Sequence, residues 1–193
     1  SSKEVAWTAD TITNSIERSL IRLKTDYLDL VQLHSCDVDI LENTEVIEAL
    51  LNAKRSGKTR FMGYSGDNEA ALWAVNSGIF DTLQTSFNVV DQHARINLFA
   101  PAKSKNMGII VKRPIANMAW GATRIPSDYA ADYFNRAKVM AEMGLIPTAS
   151  NNHILTAIGF VFSHPDVDTV IAGTQNPTHM KSNIKLIETE LPI

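Results

Sequence analysis

A chain of 193 residues, 45% hydrophobic and 20% charged, can bury a substantial core and is read as one globular domain over residues 1–193. A net charge of −3 without any basic run argues against nucleic acid or an anionic membrane as partner, and no apolar stretch is long enough to span a bilayer. The start, SSKEVAW, lacks the basic-then-apolar order of a secretion signal. The single cysteine, Cys36, excludes an internal disulfide and fits a reducing compartment, so a cytoplasmic location is expected. The chain begins at Ser1, as a processed, trimmed or partly cloned chain would.

Helix-like and strand-like segments alternate. Ile12, Ile16, Leu20 and Leu23 are spaced by three and four, which predicts an amphipathic helix over 9–23 with Asp10 as its N-cap. TDYLDLVQLHSCD follows, with a strand over 27–34 that places Leu28, Leu30, Gln32 and His34 on one face by the period-two rule. Val46, Leu50 and Leu51 mark a helix ending near Gly57, and FMGYS is a short strand to Ser65. A helix over 69–76 is closed by Gly78, and Thr82–Phe87 is a strand. Residues 94–105 read as helical, stopped by Asn106 and Gly108. GIIVKRP is a strand up to Pro114, and 115–126 a loop. Helices are expected over 129–143 and 152–162, a last strand at VDTVIAG, and a last helix opened by Pro177 and running through Lys185.

Strands alternating with helices imply parallel strands joined by right-handed crossovers. Five are counted, ending at His34, Ser65, Phe87, Lys112 and Ala172. Polar residues sit at or just past these ends: His34, Ser65, Lys112 and Thr174. That rim carries chemistry in (β/α)8 barrels and ligands in doubly wound sheets. Neither a G-x-G-x-x-G fingerprint nor a P-loop is present, so any nucleotide would be bound another way. Cys36 stands two residues past His34, and a thiolate nucleophile needs a nearby base or positive field. GYSGD has Asp67 where a nucleophile elbow requires glycine. His34, Cys36, Asp37 and Asp39 lack a regular zinc spacing, and no metal is expected.

The ordered series IERSLIRLKTDYLDLVQLH, GKTRFMGYS, TLQTSFNVVD, GIIVKRPIAN and VIAGTQNPTHMKSNI resembles strands four to eight of the aldo-keto reductase family, over nearly the whole chain. The resemblance implies a partial (β/α)8 TIM barrel of about five parallel strands. It also implies a nicotinamide cofactor, NADP or NAD, and reduction of a small-molecule carbonyl by hydride transfer. His34 is similar to the histidine that helps position the carbonyl, and Lys3 to the lysine that lowers the pKa of a tyrosine general acid. The tyrosine and an orienting aspartate lie before the family's third strand ends, for which this chain has no region. Ser65 and Gln84 match contacts to the nicotinamide carboxamide. Gly66 stands where an asparagine often follows that serine, and Lys112 where many members place a stacking tyrosine. Arg113 opens the loop lying against the pyrophosphate. Gly173, Thr174, Gln175, His179 and Asn183 match the turn and helix around the adenosine phosphate, with Gly173 and His179 where well-known members carry lysine or arginine.

An open sheet leaves edges at the strands ending at His34 and Ala172, and exposed edges invite pairing. A homo-oligomer formed through those edges is therefore expected. Two other functions stay open: a non-redox enzyme, such as a hydrolase using Cys36, Ser65 and His34, and a non-catalytic oligomeric module.

Overall fold

The computed structural model describes residues 7–144 and 152–188. The chain divides into two compact units, one holding residues up to Gln84 with Pro101–Gly108, the other Thr85–Ala100 with the chain from Ile109 onward.

The first unit opens with helix α1 (Ala9–Leu23). Its N-cap is Thr8, not Asp10: the Thr8 hydroxyl accepts the Thr11 N–H at 3.2 Å, and Asp10 sits in the first turn. Either carboxylate or hydroxyl suits a cap, but only the residue with extended backbone can serve. Ile12, Ile16 and Leu20 are buried, whereas Leu23 is 67% exposed, because the helix is leaving the core at its last turn. Strand β1 (Leu28–His34) follows, then the short α2 (Val38–Leu41) and α3 (Thr44–Arg55). The Asn43 side chain caps α3 by accepting the Glu45 N–H. Then come β2 (Thr59–Ser65), α4 (Asn68–Ser77) and β3 (Thr82–Ser86). Helix α4 ends at Gly78, whose φ of 69° is the left-handed conformation that a glycine adopts without cost.

β1 pairs in parallel with β2 and β2 with β3, as the crossover helices require. Leu33, Met62, Tyr64 and Leu83 on the strands and Val46, Leu50, Ala71, Ala74 and Val75 on the helices are all nearly inaccessible. Asp81, just before β3, ties three elements together. Its carboxylate accepts from Lys54 Nζ of α3 at 2.6 and 2.8 Å and from the Met62 main-chain N–H of β2 at 2.8 Å.

The predicted helix over 94–105 is divided. Arg95–Phe99 forms π-helical turns and α5 occupies Ala100–Ser104. Pro101 has no N–H to donate back along a regular helix, so the hydrogen-bond ladder changes there.

Strand β4 (Gly108–Lys112), in the second unit from Ile109 onward, pairs in parallel with β5. β5 is Thr169–Val170, shorter than the predicted VDTVIAG strand. The ladder stops because Arg113, next after β4, turns to φ 58° and presents no further extended backbone. Asp168 repeats the device of Asp81: its carboxylate accepts the Ile109 N–H at 2.7 Å. Helices α6 (Ala131–Glu142), α7 (His153–Phe162) and α8 (Pro177–Ile187) complete this unit. Single 3₁₀ turns lie at Ala116–Met118, within the predicted loop, and at Asp128–Ala130, where a longer helix was predicted. Phe87 lies just past β3 and is the centre of an aromatic cluster. Its ring lies 5.0 Å from Phe99, 5.4 Å from Phe160 and 4.7 Å from His164. Among the described residues no helix is long and apolar enough to cross a membrane.

Candidate functional site

In the first unit three predicted site residues stand in one cross-sheet row. His34 is the register partner of Ser65, and Ser65 of Gln84. Ser65 is fully buried and its hydroxyl accepts from Gln84 Nε2 at 2.9 Å. Gln84 Oε1 accepts in turn from Gln32 Nε2 at 3.1 Å. His34 is exposed at the end of its strand. The sequence reading placed Gln32 on the His34 face and gave it no role. The signal was its polarity on a strand face that begins with Leu28 and Leu30.

The turn after β1 separates His34 from Cys36. Ser35 has φ 57°, so strand alternation ends there, and Cys36 is 3% exposed while His34 faces solvent. Burial, with the nearby Asp37 charge behind it, pushes the Cys36 thiol up to about 11 despite the opposing main-chain hydrogen bond. At neutral pH Cys36 is a protonated core residue without a thiolate to offer. The Tyr64 hydroxyl donates to the Cys36 carbonyl at 2.8 Å and pins this turn. Burial foremost, then the charges at Cys36, Asp37 and Asp67, holds the Tyr64 phenol above its usual range. Tyr64 also explains Gly66. A Cβ on Gly66 would lie 2.3–2.6 Å from the phenol oxygen and ring carbons of Tyr64. An asparagine is excluded there while that ring keeps its place. Among the described residues no group of three His, Cys, Asp or Glu side chains gathers as a metal-ion set.

The second unit contains a cavity of about 1040 Å³. Lys112, Arg113, Gly173, Thr174, His179 and Asn183 line it, as do Asn117, Ser182 and Lys185, which the sequence reading did not single out. His179, Ser182, Asn183 and Leu186 follow the spacing of one helical face along α8, a pattern that could have found Ser182. Gln175 is exposed and is not part of the wall. Lys3 lies outside the described residues.

Among the described residues four lining side chains are basic and none is acidic, although the whole chain carries a net charge of −3. Lys112 is 8% exposed. Arg113 donates to Ser86 Oγ at 3.0 Å, and its guanidinium lies 4.8 Å over the Tyr129 ring. Its carbonyl accepts from Asn88 Nδ2 at 3.1 Å and from the Ala116 N–H at 3.0 Å. Past this anchor Ala116, Asn117 and Met118 have φ of 47°, 52° and 65°. Three successive left-handed residues cost roughly 1–2 kcal/mol each for a side-chain-bearing residue, the kind of stored strain that clusters at functional sites. Asn117 Nδ2 is buried without a hydrogen-bond partner. The Thr174 hydroxyl accepts the Asn176 N–H at 3.1 Å, and Asn176 Oδ1 caps α8 at Thr178. Basic side chains and an unfilled donor make a wall suited to an oxygen-rich anion.

A family model described as "Aldo/keto reductase family" matches residues 1–193. The chain belongs to the aldo/keto reductase family. L-galactose dehydrogenase of Arabidopsis thaliana is 24% identical over 192 residues, covering 96% of this chain and 60% of that protein. The 6-dehydroglucose reductase of Novosphingobium aromaticivorans is 26% identical over 182 residues, covering 93% and 58%. The holo form of an aldo-keto reductase from Bacillus halodurans superposes with a TM-score of 0.80 at 22% identity. That match covers 97% of this chain and 64% of the other. The fold is therefore the aldo/keto reductase α/β fold with its parallel strands. The chain spans about 60% of the length of the curated relatives it matches.

Proposed function

We propose that this aldo/keto reductase chain serves an NAD(P)H-dependent oxidoreductase that reduces a small-molecule carbonyl. The observation that carries the reading is the second unit's cavity, where among the described residues four lining side chains are basic and none is acidic. That donor set fits the phosphates and ribose of a dinucleotide. Lys112 and Arg113 sit at the end of β4, and His179 and Lys185 on α8, so positive charge is offered from two elements of this unit. Either NADP or NAD is compatible: His179 and Lys185 are exposed cationic or titratable side chains, not a bidentate arginine clamp.

The row in the first unit supports the other half of the reading. The Ser65 hydroxyl and the Gln84 amide offer hydrogen bonds suited to a carboxamide, and His34 offers a ring nitrogen suited to hold a carbonyl oxygen. A bound NAD(P)H would supply the hydride. The chain's own groups would orient the carboxamide, hold the carbonyl and neutralise phosphate charge. Lys3 as pKa-lowering lysine and a homo-oligomer through the outer edge of β1 are further parts of the proposal. The second is motivated by Leu28, Leu30 and Val31, which are only half-buried on that strand, and sedimentation velocity checks it.

Titration with NADPH and NADH, followed by calorimetry, tests the central claim. Saturable binding of at least one is expected, with consumption of the reduced form on adding a reactive aldehyde. Binding of neither would overturn the reading.

A further inference from the structure

We propose that Gln32 is a positioning residue that sets the donor–acceptor sense of the Gln84 amide, and through it the hydrogen bonds that Gln84 and Ser65 present together. The proposal rests on reading Ser65 and Gln84 as carboxamide-binding groups.

The geometry is specific. Gln32 lies on β1 and Gln84 on β3, and β2 separates them. Neighbouring strands run about 4.8 Å apart, so the two amides can meet only above β2. The β2 residue in register with Gln32 is Gly63, itself in register with Thr82. A Cβ on Gly63 would lie 3.0 Å from Gln32 Cγ and Oε1 and 2.2 Å from Thr82 Oγ1. Glycine thus leaves the gap over which Gln32 reaches the second strand away.

The consequence follows from counting donors. Gln84 Oε1 is occupied by Gln32 Nε2 at 3.1 Å. Its Nε2 must then face Ser65, where it donates to Oγ at 2.9 Å. An amide nitrogen has two N–H donors and a hydroxyl one O–H. Once Ser65 Oγ accepts, the second amide N–H and the serine O–H are the hydrogens left to give, and the pair is donor-rich. With Gln32 Nε2 kept toward β3, rotating the Gln84 amide by half a turn would set two nitrogens against each other at Gln32 and put an oxygen beside Ser65. The pair would then be acceptor-rich. Gln32 selects between these states without touching the ligand.

The test measures binding of NADPH and NADH beside ADP-ribose and its 2′-phosphorylated form, which lack the nicotinamide ring. Gln32→Leu removes the constraint. Gln32→Glu keeps size but presents only acceptors, which reverses the Gln84 amide. Both variants are expected to bind the preferred dinucleotide about 5- to 30-fold more weakly, with the matching ADP-ribose affinity unchanged. In a Gln84→Leu background the Gln32→Leu change is expected to have no further effect. Equal weakening of dinucleotide and ADP-ribose would overturn the proposal in favour of a merely structural role. Unchanged dinucleotide affinity, or full additivity with Gln84→Leu, would overturn it as well. If the unsubstituted chain binds ADP-ribose but neither dinucleotide, the carboxamide reading itself fails and takes this proposal with it.

Discussion

His34 and Ser65 are register partners at the ends of β1 and β2, yet His34 is exposed and Ser65 fully buried. The same row therefore offers one side chain to solvent and locks the next into the sheet. Their substitutions should separate accordingly. Ser65→Ala removes the acceptor of Gln84 Nε2 and is expected to cost about 1–3 kcal/mol, a fall of several degrees in Tm. His34→Ala is expected to stay within about 0.5 kcal/mol of the parent while weakening any carbonyl reduction. Thermal unfolding of both variants, with the aldehyde assay beside it, checks the contrast.

Asp81 holds Lys54 and the Met62 N–H at once. Asp81→Ala frees a main-chain donor and a lysine together. The expected loss is about 1–3 kcal/mol, larger than that of Asp29→Ala, whose partner Arg60 forms an exposed pair. Denaturant midpoints compare the two.

Cys36 makes alkaline stability a test of its burial. Its folded pKa, about 11, exceeds the ordinary thiol value of 9.0. The protonated thiol is thus favoured by folding. The contribution is fully present below pH 9 and is lost as pH rises from 9 toward 11, at no more than about 1.4 kcal/mol per pH unit. Tyr64 shifts in the same direction and joins above pH 10. Between pH 8.5 and 10, Cys36→Ala is expected to flatten the decline in unfolding free energy. A parent and variant with parallel curves would show that the thiol is accessible in the folded chain.

Lys185 and His179 line the second unit's cavity from α8. Replacing either by alanine is expected to weaken binding of the preferred dinucleotide by at most about fivefold, because exposed ion pairs contribute up to about 1 kcal/mol. The effect should shrink as salt is raised from 50 to 500 mM, roughly the range over which the Debye length falls below the reach of a side chain. Calorimetric titration at both salt levels reads it.

Gly66→Ala probes the Tyr64 ring directly. The added Cβ falls inside the phenol's space, and overpacking of this kind costs about 1–3 kcal/mol. Chemical denaturation of the variant measures it. Gly78→Ala is the control, since nothing lies within 4 Å of a Cβ there and only the left-handed backbone is strained.

Much of the fold was legible from period alone. Ile12, Ile16 and Leu20 face the core as their spacing demands, and the alternation of helices and strands carried the parallel architecture. The boundaries that failed were those set by something other than period. Pro101 divided one helix, Thr8 displaced Asp10 as cap, and the left-handed Arg113 cut β5 short.

The residue types at the strand ends and the family to which they belong are properties of the amino-acid order, since each depends on local pattern. Which of those residues meet is decided by register. Gln32 reaches Gln84 because Gly63 lies between them without a side chain. Ser65 is buried while its partner His34 is exposed, and among the described residues four basic side chains, two at and just past the end of β4 and two on α8, share one cavity wall. Such contacts join positions tens of residues apart. No local periodicity encodes them, and only the pairing of strands and the seating of helices brings them within hydrogen-bond distance.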